Sequence, residues 1–562
     1  MNIKEAIAQS AALAAGLDQT ELLEMLEVPP DPKMGDLALP CFRLAKQLRK
    51  SPQAIAQELV QKIGTPAGIG RTEQLGGYIN FFYDRAAFSQ NTLSAVFAAD
   101  SWGASDAGQN RCVVIDYSSV NIAKPFHIGH LSSTAIGNSL YKIYKYLGFN
   151  PVGINHLGDW GTQFGKLITA YKLWGDDAEI ERDSVSAMLK LYVRFHEEAK
   201  KDESLDDMGR AWFKKIEDGD PEALRIFGWF SDLTLREAKR VYEMLGIKFD
   251  YFTGESFYND KMQPVIDELK EKNLLELDEG AYIVRLDEYN LPPCIVLKTD
   301  GATLYSTRDL AAAEYRKQTF DFYKALYVVA YQQSLHFKQL FAVLEKMGKP
   351  WAHNCEHVAF GMVSLEDGTL STRSGKIVLL EDVLNRSIEK TLATINEKNP
   401  ELENKEDVAR QVGIGAVLYS TLSAGRIKDI TFSFDRVLNF DGETGPYVQY
   451  THARASSVLR KYDGAAVEAD YSVLDNDDAF AVVKQIADFP SAILAAADKN
   501  EPSMITRHIT LLAQFFNKYY YECRIMDADE CKTRARIQLT QAVQTTIRAG
   551  LNLLGIAAPE RM

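Results

Sequence analysis

Two histidines flank an isoleucine and a glycine in His127-Ile-Gly-His130, between an apolar run, Cys112-Val-Val-Ile-Asp116, and apolar positions Ile136, Leu140, Ile143, Tyr144 and Leu147 at helical spacing. The pattern predicts strand, loop, helix. Such a helix start offers unpaired N–H groups and the positive end of a dipole, which hold a phosphate chain before any side chain contributes. Imidazole N–H donors on His127 and His130 can follow the charge that grows on an α-phosphate under attack. Gly129 has no Cβ and lets a flat adenine approach the backbone. The segment reads as an ATP site, although two histidines beside a helix start also fit simple capping residues.

Three further segments carry chemistry of their own. Asn155-His-Leu-Gly-Asp-Trp-Gly-Thr-Gln-Phe-Gly165 is rich in glycine, as a loop folding over a ligand must be, and equally suits a tight turn. In Tyr305-Ser-Thr-Arg-Asp-Leu-Ala311, which follows an apolar strand Cys294–Leu297, Tyr305 and Asp309 stand one helical turn apart. A carboxylate beneath an aromatic ring suits a guanidinium, which donates two parallel hydrogen bonds and lies flat on the ring. An aspartate near a helix start is also a common dipole partner. Tyr327–Ala330 reads as another core strand, and Gln333 and His336 after it fall at the strand end where parallel sheets bind ligands. We expect a structural role for His336. The loop Asp367–Lys376 carries Ser371, Arg373 and Lys376 between a strand-like Val358–Gly361 and a helix from Leu380. Its basic groups can close over phosphates, and a solvent-exposed hairpin would look similar.

These segments need a scaffold that brings them together. A doubly wound parallel sheet does so, because its ligands bind where its halves meet. The nucleotide-binding part is expected to run from Arg111 to about Leu380, interrupted from Lys166 to about Tyr251 by a charged helical insertion. Before it, residues 1–82 read as a small α+β unit with helices Ile3–Ala15 and Pro52–Ile63, a proline-rich loop, a strand-like Gly77–Tyr83 and then a helical linker. After it the chain is helix-rich: Ile505, Ile509, Leu512, Phe516 and Tyr519 line one face, and Leu539, Val543, Ile547, Leu551 and Leu554 another, closed by Gly555.

The chain's 562 residues have room for several cores, and 46% hydrophobic with 25% charged residues is the balance of a soluble globular protein. The start lacks the basic and apolar regions of a signal peptide, and a cytoplasmic protein is expected. The six cysteines include no CxxC pair, which argues against a zinc ribbon or redox dithiol. A net charge of −14 disfavours loose binding to nucleic acid, yet a local basic strip remains compatible with it; Arg43, Lys46, Arg49 and Lys50 are one candidate, and a solvated helix face explains them as well.

Taken in order, SSVNIAKPFHIGH, NHLGDWGTQFG, YSTRDLA, the Gln-Gln-Ser-Leu-His run and YVQYTHARASSVLRKY from Tyr447 to Tyr462 resemble the arginyl-tRNA synthetases over essentially the whole chain. His127–His130 matches the HIGH signature of class I synthetases letter for letter. The resemblance implies an α/β fold: a class I Rossmann-like parallel-sheet catalytic domain over residues 101–385, an N-terminal α+β appended domain and linker over 1–100, a helical stem-contact region over 386–445, and an all-α anticodon-binding domain over 446–562. It implies ATP with Mg2+, L-arginine and tRNA(Arg) as partners, no metal held by the protein, and a chain expected to act as a monomer. Carried over by residue, Ser119, Asn121 and His130 hold the amino and carboxyl groups of arginine. Tyr305, Asp309 and Gln333 bind its side chain, with Asp116 as a second carboxylate. Two acids then balance a side chain that never loses its charge. His127, Gly129 and His130 serve ATP, while Tyr78 and Asn80 contact the D-loop corner of the tRNA. The chain departs from the family in two places: Val120 stands where proline is usual, and Thr369–Ser374 lacks the second lysine of the KMSKS loop. Lys124 is placed to substitute, with Arg373 and Lys376 as weaker phosphate contacts.

Overall fold

A computed structural model describes residues 3–298, 305–365, 378–464 and 467–562. Two compact units emerge, one of Met1–Trp102, Val458–Asp488 and Gln514–Gln544, the other of Gly103–Ser457, Phe489–Ala513 and Thr545–Met562.

In the smaller unit the helices Ile3–Ala15 and Pro52–Ile63 form where apolar periodicity places them. Ser51 caps the second helix through its hydroxyl, and Pro52 enters the first turn, where its missing N–H costs nothing. They pack Ile7, Ala11, Ile55 and Leu59 against a three-stranded antiparallel sheet ordered Leu37–Pro40, Tyr78–Tyr83, Ile69–Leu75. The linker helix Arg85–Ala98, capped by Asp84, lies beside the helix Asp477–Ala487. There the Arg85 guanidinium sits 4.8 Å from the Phe480 ring, and Trp102 Nε1 donates to the Ile486 carbonyl at 3.2 Å.

The larger unit is built on a five-stranded parallel sheet ordered Cys355–His357, Lys324–Tyr327, Cys112–Asp116, Asn150–Asn155, Tyr251–Phe252. The central strand Cys112–Asp116 is apolar on both faces, as a strand covered by helices from both sides must be. Chain order reverses between Cys112–Asp116 and Lys324–Tyr327, which makes their C-terminal ends the switch point of a doubly wound fold. The helix Leu131–Tyr146 crosses from the first strand to the second. Four helices, Thr162–Trp174, Asp177–Ala199, Ser204–Glu217 and Pro221–Leu245, occupy the interval before the edge strand.

Three strands differ from expectation. The core strand expected at Tyr327–Ala330 is Lys324–Tyr327, and the residues after Tyr327 already belong to the loop at the switch point. Cys294–Lys298 is a strand, but it belongs to an antiparallel sheet with Glu276–Asp278 and Ala281–Val284, where Cys294 and Val296 are buried and Ile295 faces solvent. Val358–Gly361 is not a strand; the strand is Cys355–His357, and beyond it the Val358 N–H donates to the Tyr327 carbonyl and Phe360 bridges to Ala330. The C-terminal segment ties directly to the helix after the histidines, since Ser139 Oγ donates to the Leu553 carbonyl at 3.0 Å and Tyr144 OH to Asn500 Oδ1 at 2.8 Å. Among the described residues no single helix is long and apolar enough to cross a membrane.

Candidate active site

Asp116 ends its strand in register with Tyr327, at the switch point. The loop that follows bends sharply, with Ser118, Ser119 and Ala123 all at positive φ. Each non-glycine residue held there costs about 1–3 kcal/mol, a cost that surrounding contacts must offset. They do so through side chains of neighbouring helices: Ser133 Oγ accepts from the Ser118 N–H at 2.9 Å and donates to the Val328 carbonyl at 2.7 Å, while Thr234 Oγ1 accepts from the Ala123 N–H at 3.0 Å.

Asn121 is held from the other side by the glycine-rich segment. Gly158 donates its N–H to Val120 and accepts from Ile122, forming a parallel bridge with Asn121, and a Cβ on Gly158 would overlap Asn121 Oδ1. Gly158→Ala is therefore expected to push the Asn121 amide aside. Because a displacement of about 1 Å can cost a hundredfold in rate, amino-acid-dependent turnover should fall by roughly 10- to 100-fold, with a small change in melting temperature, in parallel kinetic and calorimetric measurements.

A cavity of about 240 Å³ opens at this switch point. It brings together Asp116, Ser119, Asn121, Tyr305, Asp309 and Gln333, all expected from sequence, and adds His156, Glu255, Arg308, Arg316 and His336. Asp116 has less free charge than expected. Its Oδ2 accepts from Arg316 Nη2 at 2.7 Å and its Oδ1 from Ser119 Oγ at 3.0 Å, and Arg316 is only 1% exposed. Tyr305 and Asp309 sit one turn apart on the helix Tyr305–Phe320, and the exposed Tyr305 ring meets His336 edge-on at 5.0 Å. Asp309 keeps a side-chain exposure of 27%. Its Oδ2 lies 2.6 Å from His336 Nε2 and its Oδ1 3.9 Å from His156 Nε2, so the histidine expected to be structural touches the central acid. Burial works to raise the Asp309 pKa, but the His336 hydrogen bond and the charges of His336, His156 and Arg316 outweigh it and hold the carboxyl ionised. Glu255 goes the other way: burial lifts it to about 7 despite Arg308 at 3.3 Å.

Beside the cavity, Ile128–His130 forms a single 3₁₀ turn leading into the helix Leu131–Tyr146. His127 Nδ1 accepts the Gly129 N–H at 3.0 Å, which caps the turn and puts the ring proton on Nε2. His130 Nδ1 lies 3.2 Å from the His127 carbonyl and donates to it, leaving Nε2 as an acceptor. The two rings, 4.1 Å apart, thus present opposite characters, one donor and one acceptor, where sequence suggested two donors. Burial pushes His130 down to about 3, and burial with the neighbouring Lys124 charge also lowers His127. Both imidazoles are neutral at physiological pH. Lys124, its pKa lowered by burial, has no ion-pair partner among the described residues. Ser371, Arg373 and Lys376 lie outside the described residues. In the smaller unit Tyr78 is 36% exposed and packs edge-on against Phe42 at 5.2 Å, whereas Asn80, two positions along the same strand, is 4% exposed.

Comparison with known proteins matches three family models: "tRNA synthetases class I (R), catalytic domain" over residues 92–434, "DALR anticodon binding domain" over 448–562 and "Arginyl tRNA synthetase N terminal domain" over 1–83. The arginine–tRNA ligase of Alkaliphilus metalliredigens is 54% identical over 549 residues, covering 97% of each chain, and that of Clostridium botulinum is 50% identical over 564 residues, covering 100% of each. The solved arginyl-tRNA synthetase of Thermus thermophilus superposes with a TM-score of 0.83 at 27% identity, covering 100% of both chains. A switch-point cavity lined by acids, a HIGH turn beside it and full-length similarity of this kind place the chain in the arginyl-tRNA synthetase family of class I aminoacyl-tRNA synthetases.

Proposed function

We propose that the cavity between Asp116 and Asp309 holds L-arginine by its guanidinium, with ATP lying over the His127–His130 turn beside it. The observation that carries this reading is that both acids line one cavity at the switch point of the parallel sheet. The activity of the family is activation of arginine with ATP and transfer of the arginyl group to the 3′ end of tRNA(Arg). A carboxylate oxygen of arginine attacks the α-phosphorus, the bond from that phosphorus to the β-phosphate bridging oxygen breaks, and pyrophosphate leaves. A ribose hydroxyl of the tRNA then attacks the arginyl carbonyl and AMP departs. No protein nucleophile is needed, so rate comes from positioning and charge stabilisation.

In this reading Asp309 takes the guanidinium, with Asp116 at the far wall, the Tyr305 ring over it and Gln333 at the rim. Ser119, Asn121 and the acceptor Nε2 of His130 hold the amino and carboxyl groups. His127 Nε2–H and Lys124 follow the phosphate charge, with Ser371, Arg373 and Lys376 as further phosphate contacts. Lysine would reach one acid with a point charge, and citrulline would leave a buried carboxylate without a cation; both losses favour arginine. Mg2+ would accompany the ATP as part of the substrate and would offset phosphate charge there. Tyr78, with Asn80 behind it, takes the D-loop corner of the tRNA, residues 446–562 its anticodon and residues 386–445 its stem. The chain works as a monomer in the cytoplasm, and activation requires bound tRNA; full-rate exchange without tRNA would count against that last point.

The test is arginine-dependent ATP–pyrophosphate exchange with His130→Ala. At sub-saturating arginine, exchange should fall by about 10- to 150-fold, the loss of a hydrogen bond to a charged group at about 1.5–3 kcal/mol, while tRNA binding survives. Unchanged exchange would remove the assigned role.

A further inference from the structure

We infer that Arg316 is a positioning residue for the arginine pocket: it fixes the Asp116 carboxylate in one orientation, so that a substrate guanidinium meets a preformed acid. This rests on the arginine reading of the cavity. Arg316 lines that cavity from the second turn beyond Asp309 on the same helix, and it is 1% exposed. Its only hydrogen bond among the described residues runs from Nη2 to Asp116 Oδ2 at 2.7 Å; Nε and Nη1 are buried without a partner, and the guanidinium stands 5.3 Å from the Tyr327 ring.

A buried arginine satisfied at one nitrogen is an expensive structural device, because orphaned donors forfeit their hydration. Two buried charges seldom stabilise a fold over an apolar pair of similar volume. Stability is therefore a poor reason for this pair, and its place in the cavity wall supplies a better one. Asp116 is itself buried, and the Arg316 contact holds its carboxylate against the cavity wall. Each carboxylate oxygen can accept more than one hydrogen bond. Arg316 and Ser119 occupy one site on each, and the remaining lone pairs stay available to a ligand. The other titratable groups around the pair are Tyr258 and Tyr327, Cys355 on the next strand, and, across the cavity, Asp309 with His336 and His156 and Glu255 with Arg308. Burial keeps Tyr327 and Cys355 protonated and neutral, so neither adds an anion beside Asp116.

Full-length protein with tRNA present is assayed by arginine-dependent pyrophosphate exchange, with thermal melting in parallel. Arg316→Met should raise the KM for arginine at least tenfold near neutrality, with the KM for ATP within about twofold. Arg316→Lys should recover most of the affinity. The double variant Asp116→Asn, Arg316→Met should raise the KM for arginine no further than Asp116→Asn alone, because Arg316 acts through that carboxylate. A folded Arg316→Met with the wild-type KM for arginine overturns the inference. If Arg316→Met fails to fold, Arg316→Lys decides alone: an unchanged KM for arginine with a general loss of kcat would mark a structural role. Should Asp116→Asn by itself leave the KM for arginine unchanged, it is the placement of arginine in this cavity that fails, and not the role of Arg316 toward Asp116.

Discussion

Asp309→Asn will nearly abolish arginine activation while ATP is still bound. The cavity holds three carboxylates and two resident guanidinium groups, Asp116 being paired with Arg316 and Glu255 with Arg308, so Asp309 is the acid left for an incoming cation. Truncating one partner of a desolvated, hydrogen-bonded charge pair costs about 2–5 kcal/mol. At about 1.4 kcal/mol per decade that corresponds to roughly 30- to 4,000-fold in kcat/KM for arginine. The change should sit mainly in KM, with the KM for ATP within about threefold, since the HIGH turn contacts neither carboxylate oxygen of Asp309. Asparagine can still accept a hydrogen bond from His336, so the helix Tyr305–Phe320 should keep its place and the melting temperature should move by only a few degrees. Exchange kinetics as a function of arginine, read alongside calorimetry, check both halves. A folded Asp309→Asn variant with the arginine KM of the wild type would remove this acid from substrate binding altogether.

The parts of this site that sequence makes legible are the ones set by local chemistry. The run Cys112–Asp116 followed by helical spacing at Ile136 and Leu140 needs no tertiary information to read as strand, loop and helix, and Tyr305 with Asp309 falls on one helix face by spacing alone. The helices Ile3–Ala15 and Pro52–Ile63 were equally readable from periodicity and, in the second, from a serine-proline start. Arg316 was not. Seven positions beyond Asp309 it shares that face, but an arginine on a helix ordinarily reads as solvated, and only its contact with Asp116, two hundred residues earlier, shows otherwise. Glu255 follows an edge strand of two residues, too short to leave a pattern, and its raised pKa arises from groups brought in from elsewhere in the chain. Cys294–Lys298 misleads for a related reason, because its apolar residues suit a parallel core strand and its one-sided burial is visible only once its antiparallel neighbours are in place.

The opposite tautomers of the two HIGH histidines predict that their amide isosteres will fail differently. Asparagine places its amide near Nδ1 and glutamine near Nε2. At His127 asparagine can still accept the Gly129 N–H and keep the turn capped, but it offers no donor where Nε2–H stood. His127→Asn should therefore lose about 100- to 1,000-fold in kcat, the usual cost of one donor aimed at developing charge, with little change in the KM for arginine. His127→Gln should retain clearly more. At His130 asparagine can reproduce the Nδ1–H bond to the His127 carbonyl and loses the acceptor at Nε2, so the loss should appear chiefly in the KM for arginine. The protonation state fixes the sign of the pH effect: both folded-state pKa values are depressed below the ordinary imidazole value, that of His130 to about 3, so both rings are neutral at pH 7 and above. The ratio of wild-type to His127→Gln rates should accordingly stay flat from pH 7 to 8. A ratio that falls as pH drops through that window would show that His127 titrates there, and that its Nδ1 is not held as an acceptor by the Gly129 N–H.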